Sequence, residues 1–551
     1  MTSDPHHKLA RRAGIFTGAT MLSRILGYFR DTMVAAYFGA GPAADAFYTA
    51  FRISNLFRRL LGEGALSASF VPVFSEYTQK QSHEETQRFL NTMFTTLLVI
   101  LSAITLAGIL FAPQLTRLIA RGFDPNSQRF ALTVTLTRYM FPFMLFICLA
   151  ALITGVLNAF YSFFLPAMAP ACLSIAEILY IGFLWVAHVN GQNAIIGLAI
   201  SVTVGGFSQF FIHIPALLEN GYALGWEWNP EHEAVRRVGR LILPATIGVA
   251  ADQVNAFVDT MMATFLTVGS VTAMYYSNRV MQLPLALFGI ALSQVALPTM
   301  SASVARGSMQ EVKDTLNFSL RLTLFMIVPA TAGLIVLGHP IVQTLFQYGR
   351  FSTEASWLTT WALIAFSVGL FAYSSVKILA ATFYAYQTTR IPVITASACV
   401  GLNVLLNFTT LFARRKLSLL HPEWAELLNG RIGIAGLALA TSIASWVNAG
   451  TLFILLRRRL GILGGRRILR TLLKSGFASV AMGLFCWAIM HLHIQSWGAL
   501  AYHERLARGV ELAIAIAGGT AIYLGLARLL RMEEWRPFWA MLSREHPVEE
   551  E

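Results

Sequence analysis

Charge is scarce in this chain. Only 13% of its 551 residues are Asp, Glu, Lys or Arg, about half the share of a soluble domain, so most of the surface is not built for water and a soluble protein is excluded. Cysteine is scarcer still. Cys148, Cys172, Cys399 and Cys486 form no CxxC pair and lie inside apolar stretches, which excludes a disulfide framework or zinc centre and marks them as core residues. No GxxxxGK[ST] segment occurs, so ATP binding through a P-loop is excluded. Lysine is nearly absent, since only Lys8, Lys80, Lys313, Lys377, Lys416 and Lys474 contribute to the 41 cations and the rest are arginine. The net charge of +13 reads as cations left on the cytoplasmic loops of a membrane protein, with no nucleic-acid partner implied.

Hydrophobic residues make up 56% of the chain. A spanning helix needs about 20 mostly apolar residues, and the sequence offers fourteen such stretches: 12–38, 45–74, 88–112, 130–158, 164–188, 194–218, 238–267, 271–300, 316–338, 356–385, 391–412, 432–457, 468–492 and 506–530. The expected fold class is therefore all-α integral membrane, with fourteen transmembrane helices. Pro142, Pro244 and Pro284 fall inside spans and predict kinks. The polar, basic N-terminus lacks a small-residue cleavage site, so the first span reads as a retained helix rather than a signal peptide. With the N-terminus inside, Arg11, Arg12, Arg88, Arg236, Arg240 and the Arg457–Lys474 cluster are cytoplasmic. The 413–431 segment, with Arg414, Arg415, Lys416 and Arg431, is the exception and reads as a longer external loop. An even helix count puts both termini in the cytoplasm.

The chain also resembles itself. Ala46–Arg52 matches Ala273–Arg279 at an offset of 227 that also relates Gly62 to Gly289, and Pro72/Pro298 and Pro166/Pro392 share an offset of 226. Six helices per unit is an even number, so this is a parallel repeat. It predicts two six-helix lobes around a central cavity, 1–225 (helices 1–6) and 226–460 (helices 7–12). Two extra helices, 13 and 14, fill 461–535, and 536–551 is a cytoplasmic tail.

The first two spans carry Arg24, Arg30, Asp31, Asp45, Arg52, Arg58, Arg59 and Glu63. A charge near the bilayer centre costs about 2.5–3.5 kcal/mol on insertion scales, so these side chains must face protein or water. At about 100° per residue, Arg52, Arg59 and Glu63 share one stripe, as do Arg24 and Asp31. Ion pairing between helices 1 and 2, or snorkelling, is one reading. The other follows from the excess of arginine, to which the repeat adds Arg279. Planar guanidinium groups lining a wet cavity suit a phosphate or pyrophosphate ligand.

At these positions the sequence closely resembles a known family. Ser23–Asp31 (SRILGYFRD), Phe38–Gly41 with Asp45–Phe47, Asn55–Arg59 (NLFRR) with Glu63–Ala65, and Phe70–Pro72 look like the MurJ/MviN family, the bacterial lipid II flippases of the multidrug/oligosaccharidyl-lipid/polysaccharide exporter superfamily. Met274–Tyr276 with Arg279, Leu345–Gly349, and Lys377–Ala380 with Phe383–Tyr384 extend the likeness across about residues 10–460. The resemblance implies that Arg24, Arg30, Arg58, Arg279 and Asp45 line the cavity and are required, that Arg52 and Glu63 line the cavity or its lateral gate, and that helices 13 and 14 form a groove for a polyprenyl tail. Asn278 departs from the pattern, because some family members have an acid beside the arginine.

The resemblance further implies a non-enzymatic transporter of the bacterial cytoplasmic (inner) membrane. Its substrate would be lipid II, an undecaprenyl-pyrophosphate-linked disaccharide-pentapeptide, carried by alternating access from the inner to the outer leaflet for cell-wall synthesis. Its partners would be lipid II, membrane lipids and the cell-wall synthesis machinery. No cofactor is expected, and a sodium ion or the membrane potential would supply the coupling energy. Asp259, Asn403, Asn407 and Thr441 offer the oxygen ligands sodium prefers, although Asn and Thr also serve as interhelical hydrogen-bonding groups. The alternative function is export of another lipid-linked oligosaccharide or of drugs on the same fold.

Overall fold

Helix starts are written into the polar punctuation between the apolar runs. Ser82 accepts a hydrogen bond from the Glu85 N–H at 3.2 Å, and Glu84 and Glu85 fill the first turn that follows. Ser127 does the same for the Phe130 N–H. Each cap satisfies an orphan donor and launches a long apolar helix. A computed structural model describes residues 5–60, 66–160, 162–492 and 504–543, and among these every regular element is helical.

Contacts divide the chain into two units, residues 1–272 with 348–352, and residues 273–347 with 353–551. The first contains α1 (Pro5–Phe38), α2 (Pro42–Phe57), α3 (Ser67–Lys80), α4 (His83–Leu110), α5 (Ala112–Ile119) and α6 (Gln128–Ala159), followed by α7 (Phe164–Met168), α8 (Pro170–Ala187), α9 (Gln192–Phe211), α10 (His213–Glu219) and α11 (Glu233–Ala263). Its centre is α6, which buries Phe141, Phe143, Leu152 and Ile153 completely and packs on α2, α4 and α9.

The second unit holds most of α12 (Ser270–Pro284), then a π-helical turn (Leu285–Ile290), α13 (Ala291–Ala305), α14 (Met309–Val336), α15 (Gly338–Phe346), α16 (Thr353–Val368), α17 (Leu370–Ala385) and α18 (Arg390–Leu420). A short α19 (Ala425–Leu427) leads to α20 (Gly433–Leu460), α21 (Gly465–His491), α22 (Glu504–Leu529) and α23 (Trp535–Ser543). One core runs through α13, α14, α17 and α20, and another joins α14 to α21 and α22.

The internal repeat recurs in the helix boundaries. Both ends of α4 recur 226 residues on as the ends of α14, and both ends of α2 fall 227 residues before Gly269 and Pro284. Even an irregularity repeats. The chain turns π-helical at residues 58–60 and again from Leu285, the position 227 residues after Arg58. A π-turn adds a residue to the helical ladder and is seldom accidental.

Among the described residues, ten helices are long and apolar enough to cross a membrane, or eleven if a bent pair is one span. That pair is α16 and α17, bent by 42° at Gly369, where any Cβ would press on Ser442 of α20. Two readings of the sequence need correction. The 413–431 segment is not an open loop, because α18 continues through Arg414–Lys416 to Leu420 and helical turns follow as far as Ile432. The stretch after residue 535 is not a plain tail, since α23 occupies Trp535–Ser543. At the Gly518–Gly519 pair of α22, Phe485 and Cys486 of α21 approach closely.

Candidate transport site

In the first unit the charged residues of α1 and α2 are drawn to different partners. Arg30 and Asp31 are both buried, and the Arg30 guanidinium donates to Asp31 Oδ1 from Nε at 3.0 Å and from Nη2 at 2.7 Å. On its other side, Arg30 Nη1 lies 3.5 Å from Glu177 Oε1 of α8. Glu177 is only 3% exposed. A buried ion is tolerated when paired and hydrogen-bonded, and removing one partner is what costs. The cluster therefore ties α1 to α8, whereas one of the sequence readings paired helix 1 with helix 2. Glu177 was passed over, although a lone carboxylate in the apolar helix Pro170–Ala187 was the available signal. Arg24, nearly two turns earlier on α1, is exposed.

Asp45 is the most thoroughly engaged of the expected site residues. It sits in the first turn of α2, fully buried. Oδ1 accepts from the Thr272 N–H at 2.9 Å and the Thr272 hydroxyl at 2.6 Å, while Oδ2 accepts from the Gly269 N–H at 2.7 Å and from Arg129 of α6. Two donors per oxygen fill the carboxylate. Gly269 and Thr272 open α12, so an anion here also meets the positive end of that helix. Asp45 and Thr272 are repeat-equivalent, 227 residues apart. In this conformation Asp45 fastens helix starts together. Arg129 was missed because its role depends on a partner 84 positions away.

Arg52 of α2 and Arg58, just past its end, each have the Nε anchored by a neutral polar group. Arg52 Nε donates to Thr260 Oγ1 of α11 at 3.1 Å, and Arg58 Nε donates to Asn55 Oδ1 at 2.6 Å as the helix turns π-helical. One anchored nitrogen sets the plane of the fork. Glu63 lies outside the described residues. Arg279 is half-buried on α12 in the second unit. Beside it, Asn278 accepts from Gln282 at 2.5 Å, a contact between two neutral amides.

Of the four expected cation ligands, three come together in the second unit. Thr441 Oγ1 and Asn407 Nδ2 each lie 3.4 Å from Asn403 Oδ1, between α18 and α20, and all three residues are buried. Asp259 is buried on α11 of the first unit.

Two loops also press onto helix ends of the first unit. The Gly122 N–H donates to Thr264 Oγ1 at 3.0 Å, just past α11. The Arg350 N–H donates to the Ala36 carbonyl of α1 at 2.8 Å, and Arg350 Nη2 reaches Asn190 Oδ1 at 2.6 Å. At Gly122 and Gly349 a side chain would collide with the backbone of residues 264–265 and of Ala36, respectively.

A polytopic all-helical membrane fold, built from two copies of one helical pattern and carrying arginines within its spans, defines the class of multi-pass transporters. Comparison with known proteins narrows the class. The family model for lipid II flippase MurJ matches residues 34–507. The lipid II flippase MurJ of Burkholderia cenocepacia is 34% identical over 518 residues, 93% of this chain and 95% of that protein. A solved structure of lipid II flippase MurJ in an inward closed conformation superposes with a TM-score of 0.74 at 26% identity, covering 96% of this chain and 99% of that one. The chain belongs to the lipid II flippase MurJ family. An inward-facing multidrug-resistance MATE transporter shares the fold alone, with a TM-score of 0.65 at 12% identity over 82% of this chain and 98% of that one.

Proposed function

We propose that this protein flips lipid II from the inner to the outer leaflet of the bacterial cytoplasmic membrane, by alternating access, to supply cell-wall synthesis. The observation that carries the reading is family membership over nearly the whole chain, with a curated lipid II flippase matched across 95% of its own length. In this reading fourteen helices span the membrane: the ten apolar ones, the α16–α17 pair, and the more polar α1, α2–α3 and α11. Both termini lie in the cytoplasm.

No bond needs to be made or broken, so the chemical task is to replace the hydration of a diphosphate and its sugars. Arg24, Arg52, Arg58 and Arg279 would do so, since a guanidinium fork matches phosphate oxygens. Arg30 and Asp45 would act through the helices they hold. The polyprenyl tail would follow α21, whose Leu469, Leu473, Phe477, Val480, Leu484 and Trp487 form a continuous exposed apolar stripe. Sodium or the membrane potential would drive the cycle, with the Asn403–Asn407–Thr441 cluster as the place to look for a cation contribution.

The test is a leaflet-accessibility assay for lipid II in flippase-depleted cells carrying Arg24→Ala, Arg58→Ala or Arg279→Ala. Each variant is expected to insert at normal levels and fail to flip, with lysine rescuing incompletely. Normal flipping by all three would overturn the arginine assignment. For coupling, identical melting curves in sodium and in choline would end the sodium reading and leave the membrane potential.

A further inference from the structure

Nothing in the transport reading uses the arginine-rich end of the second unit. Arg457, Arg458 and Arg459 close α20, and Arg466, Arg467 and Arg470 open α21, all exposed. Arg531 and Arg536 flank the turn between α22 and α23 and are exposed as well. A topogenic signal needs cations only somewhere in the loop. Here the turns that carry them are locked in place.

The locks are specific. Arg459 Nη1 donates to Thr388 Oγ1 at 3.0 Å and its guanidinium lies 4.6 Å from the Tyr386 ring centre, which ties the end of α20 to the α17–α18 turn. Asn317 of α14 donates to the Leu463 carbonyl at 2.7 Å, fixing the α20–α21 turn. Arg321, 7% exposed on α14, donates to Glu534 at 2.6 Å and to Glu533 at 2.7 Å. Thr471 also donates to Glu534, at 2.8 Å, and Lys474 Nζ donates to the Leu530 carbonyl at 2.6 Å. This clamp fixes α23. Its Phe538 ring sits 5.5 Å from Phe325, inside the unit's core. Trp539 stacks on Trp535 at 5.4 Å yet stays half exposed. The Arg321 hydrogen bond holds the Glu533 carboxyl below the ordinary range, and the charges of Arg467 and Arg470 act in the same direction.

We propose that this surface is a binding site for anionic phospholipid headgroups, with the arginines holding lipid phosphates and Trp539 seated at the acyl boundary. The turns that carry these arginines are held in place, and a planar guanidinium loses less freedom per hydrogen bond than a flexible ammonium on meeting phosphate. A tryptophan half out of the protein beside them is the side chain suited to the headgroup level. Basic clusters flanking a span attract acidic lipids. The occupant is the bulk acidic lipid of the leaflet this end faces, and its capture stabilises α21–α23 against α14.

The full-length protein, purified in detergent and delipidated, is titrated with dioleoyl phosphatidylglycerol or dioleoyl phosphatidylcholine, reading the unfolding midpoint and the lipid retained in native mass spectra. Phosphatidylglycerol is expected to raise the midpoint and be retained, and phosphatidylcholine to do neither. The triple variant Arg466→Gln, Arg467→Gln, Arg470→Gln should weaken apparent affinity about tenfold or more. The matched triple Arg236→Gln, Arg237→Gln, Arg240→Gln removes the same charge from the first unit and should not. Trp539→Ser should lower retention while leaving the lipid-free midpoint unchanged. Equal weakening by both triples, equal stabilisation by both lipids, or stabilisation by lipid II but not by phosphatidylglycerol would each overturn the proposal.

Discussion

Two loops related by the internal repeat press onto helix ends in the first unit, and they do so with different chemistry. One follows α5 and the other follows α15, two helices that start 226 residues apart. The Gly122 loop donates its N–H to a side chain, the Thr264 hydroxyl, whereas the Arg350 loop donates its N–H to a main-chain carbonyl, that of Ala36. Both bring a glycine against backbone. A contact that runs through a hydroxyl can be removed by mutating the acceptor, and one that runs through a carbonyl cannot. The repeat preserved the geometry of approach and left the hydrogen bond free to change.

The sharpest break should come at the glycines. Gly349 has φ +53°, in the left-handed region that costs an L-residue about 1–2 kcal/mol, and its Cβ would collide with the Ala36 carbonyl as well. Gly349→Ala should lose about 2–4 kcal/mol, read as a lowered unfolding midpoint in detergent and lost flipping in cells. Gly122 lies outside the left-handed region, so Gly122→Ala meets only the clash with residues 264–265. It should lose less, about 1–3 kcal/mol. If Gly122→Ala proved the more damaging, backbone strain would not be what separates the two loops.

Thr264→Val sharpens the hydrogen-bond half of the comparison. Thr264 is 2% exposed, and its hydroxyl accepts from Gly122 while donating to the Met261 carbonyl at 2.6 Å. Valine keeps the shape and strands the Gly122 N–H, so a loss of about 1–2 kcal/mol is expected, with Thr264→Ser restoring most of it. Hydrogen exchange at the Gly122 amide is the discriminating measurement. It should accelerate in the valine variant while the Arg350 amide stays protected.

Much of this organisation was legible before the structure, and the gaps have physical causes. Arg52/Arg279 and the Pro72/Pro298 and Pro166/Pro392 pairs exposed the repeat, because a proline or an arginine stands out within an apolar span. The buried charges announced themselves the same way, since Arg30 and Asp45 are too expensive to sit in lipid unaided. Their partners did not. Glu177 and Arg129 act across 147 and 84 positions, and no local pattern says which distant side chain closes a pair. The 413–431 segment misled because Arg414, Arg415 and Lys416 read as loop, whereas a helix leaving the membrane can carry them on its wetted turns. The Asn403–Asn407–Thr441 contacts were predictable from i, i+4 spacing only on α18, and Thr441 joined through packing of α18 on α20.

The smallest expected effect lies in the side chain that distinguishes the second loop. Arg350 reaches Asn190 at 2.6 Å and lies 5.4 Å from the Tyr37 ring centre, but both Arg350 and Asn190 are exposed. Water competes for such a pair, so its coupling should be under about 1 kcal/mol. A double-mutant cycle with Arg350→Gln and Asn190→Ala isolates it. The main-chain bond to Ala36 needs neither side chain, so each single variant and the double should retain the protected Arg350 amide and most of the flipping activity. Coupling above about 2 kcal/mol, or loss of amide protection in Arg350→Gln, would mean that the loop is held by its side chain after all, and that the two repeat-related contacts are more alike than their hydrogen bonds suggest.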